Sequence, residues 1–173
     1  MWTLMGADSE LWPPRCFSQN LSLVHRSPGF FPLFQEKLPP KWENAVYLLD
    51  DICYYFVRQH DETPYGFLTA YDLRTGTWAE PVLIGDSQSR GDFILFDGEL
   101  YLFHAPIDRE HIGIVRINTE NLAKSEIIVQ AKMHSSCFYP FVQYYDESSL
   151  AMSYTVARQH IRLARFSMEA YTK

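Results

Sequence analysis

The sequence predicts an all-β chain arranged as a partial β-propeller of about three four-stranded blades behind an irregular N-terminal leader. Three observations predict it. Short aromatic and β-branched runs alternate with turn signals from residue 43 onward. No segment holds a 3.6-residue apolar period over a helix-length window. A motif also recurs at near-constant spacing. Arg109-Glu110-His111-Ile112 matches Arg158-Gln159-His160-Ile161 at an offset of 49 residues, and Arg58-Gln59-His60 stands 51 residues before Arg109. Repeats of about 40–50 residues with four strands each are the signature of propeller blades.

The elements follow in chain order. Residues 1–42 hold six of the ten prolines and two short apolar runs, Leu21–Val24 and Phe30–Phe34. They read as a leader or partial blade. Blade one spans about 43–85, with strands in AVYLLD, ICYYFVRQH, YGFLTAYDL and WAEPVLI. Blade two spans about 91–132, with DFILF, ELYLFHAPI, HIGIVRIN and SEIIVQA around the hairpin turn Asp97-Gly98. Blade three spans about 137–169, with CFYPFVQYY, LAMSYTV and HIRLARFSM, and has no evident fourth strand. The two domains expected are therefore 1–42 and 43–173.

Composition bounds the function. Hydrophobic residues make up 47% and charged residues 21%, values of a folded globular chain. Aromatics at 16% favour strands. Fifteen basic against 21 acidic residues leave a net charge of -6, so nucleic acid is not an expected partner. No run of 18 apolar residues is present, and a membrane partner is not expected either. Cys16, Cys53 and Cys137 are odd in number and lack CxxC spacing, which argues against a disulfide framework or a zinc site. None of the six histidines are spaced as a metal pair, so neither metal nor cofactor is expected. The first 14 residues show no basic or apolar signal region. If Met1 is the true start, a cytoplasmic location is the expectation.

Strand alternation in a blade puts the loop between strands two and three on the same end as the links between blades. That end is expected to collect Arg58, His60, Arg90, Asp92, Asp108, Arg109, His111, His134, Tyr139, Arg158 and His160. Polar groups converging on a rigid scaffold form a candidate binding site. Arginine forks suit carboxylate or phosphate recognition. The alternative role for the same arginines is to staple one blade to the next through acidic neighbours or backbone carbonyls.

Three stretches carry a family resemblance. Tyr139-Pro140-Phe141-Val142-Gln143, followed by Met152-Ser153-Tyr154-Thr155 and Arg158-Gln159-His160-Ile161-Arg162, is similar to the ending of sialidase-like domains. Ser89-Arg90-Gly91-Asp92, with Asp97-Gly98 and Leu100-Tyr101-Leu102, resembles their inner-strand pattern. Thr77-Trp78-Ala79-Glu80-Pro81-Val82 resembles the tail of an Asp-box blade, of which only Thr77 and Trp78 fit the box itself. The chain thus resembles the C-terminal half of a sialidase (BNR-repeat) superfamily propeller. Arg90-Gly91-Asp92 also bears a weaker resemblance to five-bladed glycoside hydrolases.

The resemblance implies a six-bladed ring, carboxylate-binding arginines, a tyrosine nucleophile paired with a glutamate, and an aspartate acid/base. It makes Asp92, Tyr139 and Glu110 the catalytic candidates, with Tyr154 as the other tyrosine. The implied function is a carbohydrate-active propeller that binds an acidic or polar sugar at the channel mouth, hydrolysing it once the ring is complete. A homodimer or a missing N-terminal half would complete it. The competing expectations are a non-catalytic glycan- or protein-binding propeller and a truncated copy without activity.

Overall fold

The computed structural model describes residues 41–59, 63–169 and 171. The leader and His60 lie outside the described residues. Pro39–Lys173 forms one compact unit. Its described residues hold twelve strands and one short 3-10 turn, arranged as three antiparallel sheets that follow one another along the chain.

The first sheet holds β1 (Lys41–Leu49), β2 (Ile52–Gln59), β3 (Tyr65–Asp72), β4 (Thr77–Trp78) and β5 (Val82–Asp86). The middle sheet runs in the order β6 (Asp92–Phe96), β7 (Glu99–His104), β8 (His111–Ile117) and β9 (Glu126–Lys132). The last sheet has three strands, β10 (Phe138–Asp146), β11 (Ser149–Val156) and β12 (His160–Ser167). The stretch expected as one strand in WAEPVLI is two: β4 pairs β3 at Tyr71 and Asp72, β5 pairs it at Tyr65–Leu68, and Ala79–Pro81 lies between. Pro81 has no amide hydrogen for a ladder bond, so pairing is interrupted at this outer strand.

Tight hairpins set the register. Asp50, Asp97 and Gly98 take positive φ values of 51°, 49° and 77°. Such angles match the right-handed twist of the strands they join, and aspartate and glycine adopt them at low cost. Each first hairpin has a two-residue turn, closed by the pairs Leu49↔Ile52, Phe96↔Glu99 and Asp146↔Ser149. The second strands of the three sheets are therefore in step when counted from their turns.

The middle sheet is buried on both faces along β6 to β8, while its outer strand β9 is half-buried to exposed. Phe93, Leu100, Leu102, Val115 and Ile117 join Tyr54, Phe56 and Leu68 of the first sheet in one core. Ile94, Phe96, Tyr101, Phe103, Ile112 and Ile114 join Val142, Leu150, Met152 and Tyr154 of the last sheet in another. This explains why β6 to β8 read as near-continuous apolar runs rather than as alternation. β6, the first strand of the middle sheet, lies against β1 on one side and β10 on the other. Hydrogen bonds cross the second gap: Tyr139 N donates to Ser89 Oγ at 2.9 Å, Val142 N to Asp92 Oδ2 at 2.8 Å, and the Tyr144 hydroxyl to the Leu95 carbonyl.

The outer face of the last sheet is different. Ile161 and Leu163 are 77% and 78% exposed. Their counterparts in the sequence repeat, Ile112 and Ile114, are 0% and 1% exposed beneath that same sheet.

Gly91, just before β6, is packed tightly against the neighbouring strand β7 of its own sheet and against Phe56 of the first sheet. A Cβ there would stand 2.8 Å from the Phe103 carbonyl oxygen and 2.7 Å from Leu102 Cδ1. The backbone atom has no rotamer by which to withdraw. Gly91→Ala is expected to lower stability by about 1–3 kcal/mol, the usual cost of overpacking, as read from the urea midpoint. A neutral substitution would contradict the packing described here.

Candidate functional site

Backbone hydrogen bonds bring the predicted loops to one end of the sheets. Ser87 N donates to Pro64 O at 2.6 Å and Gln88 N to Ala105 O at 2.7 Å, tying the link between the first two sheets to the loops after β2 and β7. Met133 N donates to Glu110 O at 2.7 Å, and Cys137 N donates to Arg109 O. Ala157 N donates to Ser136 Oγ at 2.8 Å. The link between the last two sheets is thereby joined to the β7–β8 loop and the β11–β12 turn.

The predicted residues divide into three groups at this end. Arg90, Asp92, Arg109 and Tyr139 come together. The Arg90 guanidinium stands 6.0 Å from the centre of the Tyr139 ring, and that of Arg109 stands 4.8 Å over Phe138. The two rings are 6.3 Å apart. The result is a row of two guanidiniums beside two neighbouring rings. Stacking on a ring fixes the guanidinium plane and leaves its edge donors for an acceptor. Sequence reasoning missed Phe138. Its only signal was its position beside Tyr139.

Asp92 stands at the start of β6, where its Oδ2 accepts the Val142 amide. Burial raises its carboxyl above the usual aspartate range, against the lowering pull of that amide and of Arg90. Tyr139 has φ 52°. That is an unusual conformation for a bulky residue, the more so before a proline, and the Ser89 hydroxyl holds it by accepting its amide. Ile107, in the neighbouring loop, has φ 61°. Strain of this kind costs about 1–3 kcal/mol per residue and persists where the surroundings enforce it.

The second group has structural partners. Arg58 was expected in a loop, but it lies inside β2 and is 4% exposed. Its Nε donates to Ser87 O at 2.7 Å and its Nη1 to Glu43 at 3.2 Å. Counted from the hairpin turns, its counterparts are Ala105 and Thr155, not Arg109 and Arg158. The third copy of the motif is thus out of structural step, and Arg58 is a staple between β1, β2 and the following link. Asp108 Oδ1 accepts from the Glu110 amide and meets His111 Nδ1, each at 2.7 Å. These bonds lower the Asp108 carboxyl and close the β7–β8 loop. Glu110 faces Lys132 of β9 at 3.4 Å, on the outermost strand of the middle sheet. Among the described residues, no hydrogen bond or ion pair joins Glu110 to Tyr139 or Asp92.

The third group is exposed at the rim. His134 lies in the link after β9, Arg158 in the turn before β12 with φ 57°, and His160 at the first position of β12. Among the described residues no group of three or more His, Cys, Asp or Glu side chains is placed to hold a metal.

No protein-family profile and no curated protein matches the chain.

One titratable residue near this end escaped sequence reasoning. His104 closes β7, is 1% exposed, and neither ring nitrogen has a hydrogen-bond partner. The Phe56 ring lies 6.0 Å away, and a Cβ on Gly113 would come within 2.7 Å of Nε2. Burial lowers its pKa from 6.5 to about 4. Between those values the unfolded chain binds a proton that the folded chain does not. Stability is therefore full above pH 6.5 and falls as the pH drops towards 4, by about 3 kcal/mol from this residue. Urea unfolding at neutral and mildly acidic pH measures the slope, and His104→Leu is expected to flatten it. An unchanged slope in that variant would assign the pH dependence to other groups.

Proposed function

We propose that the loop end binds an acidic or polar sugar, in a chain that forms part of a sialidase-like β-propeller. The single observation that carries the ligand reading is the row of Arg90 and Arg109 beside the adjacent rings of Tyr139 and Phe138. Two oriented guanidiniums match a carboxylate, and aromatic side chains beside them suit the apolar face of a sugar ring.

Binding without hydrolysis by this chain alone is the reading we favour. A retaining or inverting glycosidase needs two acidic groups at a defined separation, or a tyrosine with its own acidic partner. Glu110 is engaged by Lys132, and Asp92 holds the β10 backbone. Tyr139 is partly exposed beside Arg90 and remains the group nearest to a catalytic role.

The propeller reading is supported by three sheets in chain order whose first strands adjoin one another. It is also supported by the bare outer face of the last sheet at Ile161 and Leu163. A propeller has at least four blades, so a further sheet, from a second copy or from more of the same ring, covers that face in this reading.

Chemical-shift titration with the methyl glycoside of a sialic acid tests the ligand, with neutral methyl galactoside as control. The acidic sugar is expected to shift resonances of Arg90, Arg109, Phe138 and Tyr139. Arg90→Ala and Arg109→Ala are each expected to weaken it about tenfold or more, the scale of one charged hydrogen bond. Unchanged affinity in both variants, or equal binding of the neutral sugar, would overturn the proposal.

A further inference from the structure

A cleft of about 480 Å³ opens at the end opposite the arginine row, between the first sheet and the loop that joins β8 to β9. It is explained by comparing the three sheets position by position. The hairpin turns are in step, so the third residue of each second strand is equivalent: Tyr54, Tyr101 and Ala151. Their cross-strand partners are Ala70, Arg116 and Arg165.

Two of these three positions thus hold a guanidinium. Arg116 bonds Glu126 at 2.7 Å and lies 3.8 Å from Glu99. Arg165 bonds Asp146 at 2.7 Å and stacks 4.6 Å over the Tyr145 ring. In the first sheet the arginine is replaced by Ala70, the counterpart of Glu99 is Ile52, and the cross-strand place of Glu126 is taken by Ala79. Ala79 N donates to Ala70 O at 2.8 Å, at the step where Arg116 pairs with Glu126. Two alanines and an isoleucine therefore stand where the middle sheet has an ion-pair network, and the cleft occupies the vacated space. Ile52, Tyr54 and Ala70 contribute its floor, while the exposed Glu120 and Asp72, whose Oδ1 already accepts the Arg74 and Thr75 amides, stand around it.

We propose that this cleft binds a guanidinium on an aliphatic stem. The stem would lie against Ile52 and Ala70, and the planar fork would meet the surrounding carboxylates, as arginine forks do. The same chemistry is carried by a free alkylguanidine and by an arginine side chain on a partner polypeptide. The inference stands apart from the sugar reading, because it uses neither the residues nor the end of the molecule that bind the sugar.

Butylguanidinium and N-acetylarginine methylamide are the probes, followed by chemical shifts of the Ala70, Ala79 and Ala123 methyls. Both are expected to give saturable shifts, and the uncharged isostere N-acetylcitrulline methylamide is expected to bind about tenfold more weakly or less. Tighter binding of the arginine amide assigns the cleft to a polypeptide partner, and tighter binding of butylguanidinium assigns it to a free guanidine. Ala70→Arg restores the residue found in the other sheets and is expected to block both probes while leaving the circular dichroism intact. Glu120→Gln is the milder variant should Ala70→Arg not fold, and it is expected to weaken both probes. No saturable shift, equal binding of the citrulline amide, or unchanged binding in a folded Ala70→Arg chain would overturn the proposal.

Discussion

Burial of β6 to β8 of the middle sheet on both faces is the constraint on which the rest of the structure depends. Each of these three strands must be apolar at odd and even positions alike, and each is. A slip of one residue would exchange the two faces without exposing polar groups, so hydrophobic pattern alone does not set the register here. The two-residue hairpin turns do so, aided by bonds between sheets. Ser89 and Asp92 accept amides from β10, and within the first sheet Arg58 reaches from β2 to Glu43 of β1 and to the Ser87 carbonyl of the following link. Side chains at the loop end thus serve sheet stacking as well as any ligand. Asp92 combines a structural hydrogen bond with a carboxyl shifted upward by the burial that the stacking imposes.

Strand order and the limits of the three sheets were legible because short aromatic and β-branched runs bounded by turn residues are local signals. The gathering of loops at one end followed from strand alternation, a rule of connectivity that needs no side-chain detail. The misplacement of Arg58 has a physical cause. Matching letters aligned it with Arg109 and Arg158, whereas structural equivalence is counted from the hairpin turns, and β2 runs on through the motif. The break at Ala79–Pro81 was hidden because a single proline on an outer strand is compatible with either a continuous strand or an interrupted one. His104 and the Ala70 cleft were not legible. One is defined by burial and the other by a missing side chain, and both emerge only when sheets are stacked.

The two ends of the molecule differ in kind. At the loop end, positive side chains project beside aromatic rings on a surface where Ile107, Tyr139, Ala157 and Arg158 hold left-handed backbone. At the hairpin end, the ion pairs of Arg116 and Arg165 close the middle and last sheets, and the first sheet is left with a cleft. A repeated scaffold explains this contrast. Equivalent positions in different copies are free to diverge where stacking does not constrain them, and loops and outer strand ends are such places.

In the proposed ring the last sheet is an internal member whose outer face awaits a neighbour. Its repeat positions argue for this directly, because Ile112 and Ile114 are covered by a sheet and Ile161 and Leu163 are bare. Light scattering on the purified chain after size exclusion is the most direct measurement. With this chain alone in solution a second copy must supply the covering sheet, so the account predicts a mass above that of one chain, reduced to one chain by Leu163→Glu with circular dichroism unchanged. A single-chain mass for the unaltered protein, with a cooperative thermal transition, would contradict it.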